Sequence, residues 1–263
     1  MAQTIRNFEI IIVEDPPFDR TKDIIDAFED KRIRHLRNQR NHGLSKSRNQ
    51  SVELARGEHI FFTDADCIVS KNWIEEGLQS FQKSNSIGVE GKTYYVSEEY
   101  EPTYSDGFIE NKKGGQFMTC NMAYKKSVIE RIGGFDERYT YMEDKDLALR
   151  AMKLGRIIFN PEMIVYHQKV TVKPLQFVQG AKRARNRVLL YKKFGERKRM
   201  LWRIVYPSDL MAILFPPLIF GSLFIHRYKT KEDLGLFPFI YIKMIYARLN
   251  LWDMCIRERV FLI

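Results

Sequence analysis

The sequence is poor in cysteine and lacks several features that would direct a chain out of the cell. Its three cysteines, Cys67, Cys120 and Cys255, are widely spaced and match neither a zinc site nor a disulfide framework. This favours a reducing compartment. The N-terminus has no basic start followed by a long apolar stretch, so no secretory signal peptide is predicted.

Long uncharged apolar runs are also missing. The run at 210–225 is shorter than the roughly 20 residues that span a bilayer upright, and Pro216 and Pro217 would kink a helix there. A second apolar stretch, 234–252, contains two cations. We expect a helical hairpin that enters or lies in a membrane, and the alternative is a buried helical pair.

Positive charge is abundant, with a formal net charge of +10. An excess of this sign indicates an anionic partner, which could be nucleic acid, an acidic membrane surface or a phosphorylated substrate. The segment 182–203 holds most of the excess and contains only one acid, Glu196. Apolar residues interleave with its cations, so we predict a basic amphipathic helix on an anionic membrane surface. An ordinary solvated helix is the alternative.

Strand and helix patterns alternate over the first hundred residues, which predicts an α/β domain with a largely parallel sheet. Two apolar runs, "FEIIIVED" and "EHIFFTDAD", end in acids. Ligands of such sheets bind outside the carboxyl ends of the strands. Asp15, Asp64 and Asp66 are therefore expected to face a crevice.

Asp64 and Asp66 form an Asp-x-Asp pair directly after a predicted buried strand. Two alternate carboxylates can hold a hard divalent cation whose other coordination positions go to phosphate oxygens. The alternative is a solvated turn.

Three stretches together resemble glycosyltransferase family 2, whose members have the GT-A fold. They are "NHGLSKSRNQSVELARGEHIFFTDADCIVSKNW", "TCNMAYKKSVIERIGGFDERYTYMEDKDLALRAMKLG" and "IIFNPEMIVYHQ". The likeness runs from about residue 3 to residue 168. It implies a Rossmann-like mixed sheet with helices on both faces, a nucleotide-diphosphate sugar donor, and Mn²⁺ or Mg²⁺ as cofactor.

The same resemblance assigns residues to the donor side. Asp15 corresponds to an acid that hydrogen-bonds the nucleotide base, and Arg48 to an arginine near the diphosphate. Asp64 corresponds to a residue near the ribose and metal, and Asp66 to the main metal ligand. His167 corresponds to a strand-end histidine that contacts the metal or diphosphate.

On the acceptor side the resemblance assigns three residues. Asp144 is the expected general base, which removes the proton from the attacking acceptor hydroxyl in an inverting transfer. Asn121 and Glu143 are expected beside the acceptor. The acceptor itself is expected to be a lipid-linked or polysaccharide hydroxyl.

These assignments lead to a complete prediction for the chain. Residues 1–175 form the catalytic domain, which lacks the family's usual first strand–helix unit, and 176–263 form a membrane-associated helical region. We expect an enzyme at the cytoplasmic face of the cell membrane, with no nucleic-acid partner. The alternatives are a nucleotidyltransferase and a non-catalytic basic protein that binds membrane or nucleic acid.

Overall fold

The structure, a computed structural model, describes residues 2–107, 109–195, 200–221 and 229–263. The chain divides into two compact units. The first unit consists of Met1–Glu98 and Ile109–Gln168, and the second consists of Glu99–Phe108 and Lys169–Ile263.

The first unit contains seven strands and five α-helices among its described residues. The strands are β1 (Ile10–Glu14), β2 (Ile33–Arg37), β3 (His59–Phe62), β4 (Cys67–Val69), β5 (Gly88–Tyr95), β6 (Met122–Lys125) and β7 (Ile157–His167). The α-helices are α1 (Thr21–Asp26), α2 (Leu44–Leu54), α3 (Trp73–Ser84), α4 (Lys126–Arg131) and α5 (Glu143–Ala151). A 3₁₀ turn, Thr119–Asn121, precedes β6.

The strands form two sheets of different character. β1 and β2 pair in parallel, with Ile10 opposite Ile33. The larger sheet has the order β3-β6-β5-β7-β4, and β5–β7 is its one parallel pairing. The expectation of a largely parallel sheet is wrong for this sheet. β6 runs against both its neighbours, and no α-helix among the described residues between β5 and β6 supplies the crossover that a parallel strand usually needs.

Helices cover both faces of the larger sheet. Ile60 and Phe62 of β3 pack in one apolar cluster with α2, α4 and α5, whereas Phe61 packs in another with α3. Successive side chains of a strand point to opposite faces, so the two clusters lie on opposite sides of the sheet. This arrangement holds the loop between β3 and β4 at the edge of a packed core.

The second unit is built around one long helix. Its α-helices are α6 (Pro174–Gln179), α7 (Ala184–Phe194), α8 (Pro207–Leu214) and α9 (Lys231–Glu258). Two-residue strands β8 (Met200–Leu201) and β9 (Ile204–Val205) form a hairpin before α8. α9 packs against α6 and α7, and it buries Leu236, Ile240 and Leu251.

The predicted basic helix over 182–203 is shorter in the structure. A 3₁₀ turn, Gly180–Arg183, leads into α7, which ends at Gly195 with φ +64°. Glycine adopts this left-handed conformation without steric cost, so it stops the helix. Residues 196–199 lie outside the described part of the chain.

The predicted apolar hairpin has two unequal arms. In the first arm α8 ends at Leu214, and a 3₁₀ turn, Pro216–Gly221, follows it. Residues 222–225 of that prediction lie outside the described part. The second arm is α9, which runs through Pro238. None of the helices in the described ranges combines the length and the apolar character that crossing a membrane would require.

Candidate active site

Asp64 and Asp66 lie in the short loop between β3 and β4, where strand pairing fixes their surroundings. β4 pairs antiparallel with β7, which places Cys67 opposite His167. The Gln168 amide donates to the Asp66 carbonyl at 2.7 Å. Asp66 Oδ1 consequently lies 3.5 Å from His167 Nε2.

The donor set around Asp66 suits a divalent cation. His167 Nδ1 lies 3.0 Å from the Gln168 carbonyl oxygen, so we assign the proton to Nδ1 and the lone pair to Nε2, the nitrogen that faces Asp66. A carboxylate oxygen of Asp66, Cys67 Sγ and a ring nitrogen of His167 all lie within 4.8 Å of one another. Carboxylate and imidazole are ligands for Mn²⁺ and similar ions.

Cys67 is the residue of this group that sequence reasoning missed. In the sequence it counts only as one of three cysteines whose spacing favours a reducing compartment. Its signal in the sequence is its position directly after the second acid of the Asp-x-Asp pair. Its side chain also packs partly against the cluster that contains Trp73.

The loop between β3 and β4, which carries Asp64 and Asp66, is named the acid loop. Arg48 connects this loop to the start of α5. Its Nη1 lies 2.5 Å from Glu143 Oε1 and its Nη2 lies 3.3 Å from Asp64 Oδ1. Burial raises the pKa of Asp64, the positive charge of Arg48 opposes that rise, and the neighbouring Asp66 adds to it. Arg48 is therefore the cation that holds two carboxylates from distant parts of the sequence together.

Asp144 occupies the first turn of α5, next to the carboxylate that Arg48 binds. Burial raises the pKa of Asp144 to about 7, and the charge of Glu143 adds to this effect. The Lys145 amide donates to Asp144 Oδ1 at 2.7 Å, and this hydrogen bond lowers the pKa of Asp144. A carboxyl group with this pKa can accept a proton near neutral pH.

Asp15 follows β1, and its carboxylate accepts hydrogen bonds from the loop after β2 and from α2. Its oxygens accept from Asn38 Nδ2 at 2.7 Å, from Ser47 Oγ at 2.8 Å, and from two backbone amides, His42 N and Gly43 N, each at 3.1 Å. Burial alone would raise the pKa of Asp15, but the four hydrogen bonds outweigh it and the pKa is lowered.

A surface pocket lies beside Asp15. Its volume is about 630 Å³, and its lining residues are Arg37, Asn38, Gln39, Arg40 and His42. Two of the lining residues are arginines, and two donate hydrogen bonds to Asp15. The pocket is thus polar and positively charged, although Arg37 also pairs with Glu14 at 2.9 Å.

Asn121 is buried, and its side chain is fully engaged by hydrogen bonds inside the protein. Trp73 Nε1 donates to Asn121 Oδ1 at 2.8 Å, and Asn121 Nδ2 donates to the Lys92 and Met163 carbonyls at 2.9 and 3.0 Å. Its amide therefore braces α3 against β5 and β7. Gly91 allows the Asn121 side chain to lie against β5 and β7, because a Cβ at position 91 would lie 2.2 Å from the Met163 carbonyl oxygen.

Comparisons with known proteins point to one family. The model of the family described as glycosyl transferase family 2 matches residues 1–135. The Escherichia coli UDP-Glc:alpha-D-GlcNAc-diphosphoundecaprenol beta-1,3-glucosyltransferase WfaP is 28% identical over 153 residues, which are 57% of this chain and 59% of that protein. The Streptococcus pneumoniae glycosyltransferase GlyG is 36% identical over 100 residues, or 37% of this chain and 33% of GlyG. This chain thus covers less than two thirds of either relative.

Solved structures share the fold. Residues 1–349 of S. aureus TarS in complex with UDP give a TM-score of 0.55 at 18% identity, over 99% of this chain and 86% of that one. The mannosyltransferase PcManGT from Pyrobaculum calidifontis, in complex with GDP-Man and Mn²⁺, gives a TM-score of 0.60 at 15% identity, over 96% and 81% of the two chains. The predicted GT-A fold is confirmed by these likenesses together with the mixed sheet and its two helical layers.

Proposed function

The chain belongs to glycosyl transferase family 2, and from that membership we propose that it moves a sugar from a nucleotide-diphosphate sugar to a hydroxyl of a lipid-linked or polysaccharide acceptor, with inversion at the anomeric carbon. The observation that carries the proposal is a group of charged side chains that lie together in the first unit. Arg48 joins Asp64 to the start of α5, where Asp144 lies, and Asp66 lies beside His167.

We assign the donor side to the residues around the β3–β4 loop. Asp66 and His167, with Asp64 nearby, would hold Mn²⁺ or Mg²⁺, which neutralises negative charge on a departing diphosphate. Arg48 supplies further positive charge. Asp15 and its pocket offer polar contacts to the nucleotide, in keeping with the UDP and GDP-Man held in complex by the two structural neighbours.

We assign the proton transfer to Asp144. As the acceptor oxygen forms its bond to the anomeric carbon, its proton passes to the Asp144 carboxylate, and the bond from the anomeric carbon to the diphosphate breaks with its electron pair going to the diphosphate. Burial holds the pKa of Asp144 at about 7, so the base form is populated at neutral pH. The Glu143 carboxylate forms an ion pair with Arg48, so it is better placed to orient Arg48 than to accept this proton.

We assign membrane attachment, at the cytoplasmic face, to the second unit. Apolar side chains of α8 and the 3₁₀ turn after it are exposed: Met211, Leu214, Phe215, Leu218 and Phe220. Charge plus apolar insertion is an arrangement that holds a protein at a bilayer surface. A lipid-linked acceptor is also consistent with the name of WfaP, which specifies a diphosphoundecaprenol substrate.

The test is a screen of nucleotide sugars for binding and turnover by the purified chain, with and without Mn²⁺. We expect one donor to bind in a Mn²⁺-dependent manner, and Asp66→Ala to abolish that dependence. Glu58→Ala, which removes an exposed acid before β3, serves as the control and should keep it. Release of pyrophosphate in place of a nucleoside diphosphate would instead indicate a nucleotidyltransferase.

A further inference from the structure

Glu90 on β5 carries a carboxylate that holds the backbone of the loop before β6, and the residue is only 2% exposed. Its Oε1 accepts from Gln116 N at 2.9 Å and from Phe117 N at 2.5 Å, and its Oε2 accepts from Gly115 N at 2.6 Å. Asn111 Nδ2 donates a fourth hydrogen bond, to Oε1 at 2.8 Å. One buried side chain thus fixes three successive amides of a segment that is neither helix nor strand.

The backbone of this loop has a conformation that needs such support. Phe117 has φ +60°, which a residue with a bulky side chain rarely adopts. A residue in this conformation persists when the surrounding structure enforces it. Here the Glu90 carboxylate bonds the Phe117 amide, and the Phe117 side chain packs against the apolar cluster that contains Leu147 of α5. The turn at Phe117 therefore depends on Glu90 and lies against the helix that carries Asp144.

The loop leads directly to Asp144. One residue separates Phe117 from Thr119, which is buried. The backbone amide of Thr119 hydrogen-bonds the Asp144 carboxylate. Burial raises the pKa of Asp144 to about 7, and the bond from Thr119 acts against that rise because it stabilises the charged form. The backbone that Glu90 holds thus ends at an amide that acts on the expected base.

We propose that Glu90 is a positioning residue for Asp144, because it orients the Thr119 amide toward that carboxylate through the loop between them. The Glu90 carboxylate already accepts four hydrogen bonds, so it acts through the backbone and not on a substrate. The name of base for Asp144 rests on the proposed function. The link between Glu90 and the Asp144 carboxylate does not, and it can be measured without sugar transfer.

Other charged groups also act on Asp144, and the experiment has to separate them. Besides burial, the charge of Glu143 on α5 raises the pKa of Asp144, and the charge of Arg48 on α2 lowers it. Burial raises the pKa of the Tyr124 phenol on β6, and the charges of Asp144 and Glu90 add to that rise. Loss of the Glu90 charge by itself would lower the pKa of Asp144, because a nearby carboxylate disfavours a second negative charge. Loss of the amide bond from the loop would raise it, so the two effects have opposite signs.

The experiment is a ¹³C NMR titration of the Asp144 carboxyl carbon in the whole chain, with the spectrum of Asp144→Asn identifying its signal. We expect a midpoint of about 7 in the unaltered chain. Glu90→Gln places an amide nitrogen where one oxygen accepts hydrogen bonds, so it should release part of the loop. We expect the midpoint to rise by about half a pH unit or more, which is the size of effect that the loss of one hydrogen bond to a carboxylate produces.

Two further variants keep the test decisive. Glu110→Gln is the matched control, because it removes an acid of the same loop that pairs with Lys112, and it should leave the midpoint unchanged. Gly115→Pro keeps every charge but removes one amide bonded to Glu90, and proline cannot adopt the φ of +84° found there. Position 115 is exposed, so this variant decides if Glu90→Gln fails to fold. A midpoint in Gly115→Pro equal to that of the control, or below it, would overturn the proposal.

The kinetics of sugar transfer give a second readout. We expect Glu90→Gln to lower kcat by about tenfold or more with little change in the KM for the donor, since a displaced base slows the chemical step. The acidic limb of its pH profile should move upward together with the NMR midpoint. A raised NMR midpoint in a chain that transfers no sugar would contradict the proposed function but not the link between Glu90 and Asp144. An unchanged midpoint in a chain that does transfer sugar would overturn the positioning role alone.

Discussion

Asp15 and Asp64 are both predicted donor-side carboxylates, yet their surroundings act on them in opposite directions. Four hydrogen bonds outweigh burial at Asp15 and lower its pKa, whereas burial dominates at Asp64 and raises its pKa in spite of Arg48. The Asp15 carboxylate thus already accepts hydrogen bonds from four protein donors. The Asp64 carboxylate, which accepts one from Arg48, can interact with a further cation or donor. A cation beside Asp64 would satisfy it, so the acid loop is the part of the site with the stronger demand for a ligand.

Asn121→Ala tests whether Asn121 acts as a brace or contacts the acceptor. The change removes the acceptor of the buried Trp73 Nε1 and the donor that bonds the Lys92 and Met163 carbonyls. We expect the free energy of unfolding to fall by about 3 kcal/mol, since each buried orphan costs about 1–3 kcal/mol. Urea denaturation measures this, with the exposed Gln82→Ala on α3 as the control. A stable variant with a raised KM for acceptor would show that Asn121 serves the acceptor instead.

Cys67→Ser tests whether the thiol belongs to the metal site. Thiolate sulfur prefers softer ions, so the variant should lose about tenfold or more in affinity for Cd²⁺ while its affinity for Mg²⁺ changes little. Isothermal titration with each metal measures both affinities. The buried Cys255→Ser is the control, and Cd²⁺ affinity equal to that of the control would leave Cys67 as a core residue only.

At the scale of elements, periodicity predicted the existence of strands and helices in the first unit better than their pairing. The run that becomes β3 and the helix that becomes α3 are both visible in the sequence, because β3 is a short apolar run and α3 repeats its apolar residues at helical spacing. The antiparallel direction of β6 is not visible, because it depends on contacts with β3 and β5. The contact between Arg48 and Glu143 joins residues far apart in the chain, so it cannot be predicted from the local sequence pattern.

The second unit shows the same limit. Gly195 ends α7 before the basic run is complete, and Phe215 separates α8 from the 3₁₀ turn that follows. Charge counting along 182–203 placed Arg187 in a basic amphipathic helix on a membrane surface, whereas the structure buries its side chain. Burial depends on the packing of α7 against α9, which a single helix pattern does not encode.

Replacing Phe215 and Leu218 by aspartate tests the role of the exposed apolar surface after α8. Both side chains are exposed, so the folded state should lose little stability. We expect vesicle binding to fall by about tenfold or more, because two apolar groups are lost and two negative charges meet an anionic surface. Ile24→Asp, at an exposed apolar position on α1 of the first unit, is the control. Flotation with phosphatidylglycerol vesicles measures the difference, and unchanged binding would assign attachment to another surface.

At the scale of the whole molecule, the two units carry different chemical resources. The first holds the acid loop, Arg48 and Asp144, which suit donor binding and proton transfer. The second holds exposed apolar side chains on α8 and the 3₁₀ turn after it, which suit a membrane surface. The net charge of +10 belongs to a chain whose candidate active site is rich in carboxylates, so the charge of the whole chain does not describe the chemistry of that site.

The central claim is that the chain is a sugar transferase in which Asp144 is the base, and the pH dependence of kcat/KM tests it most directly. Because the pKa of Asp144 is raised to about 7, its carboxylate is lost as the pH falls below 7. The account predicts that kcat/KM falls on the order of tenfold per pH unit below that value. It also predicts that Asp144→Asn lowers turnover by about 10²–10⁴ and removes this dependence, with donor affinity little changed. An unaltered pH profile and normal turnover in Asp144→Asn would contradict the account.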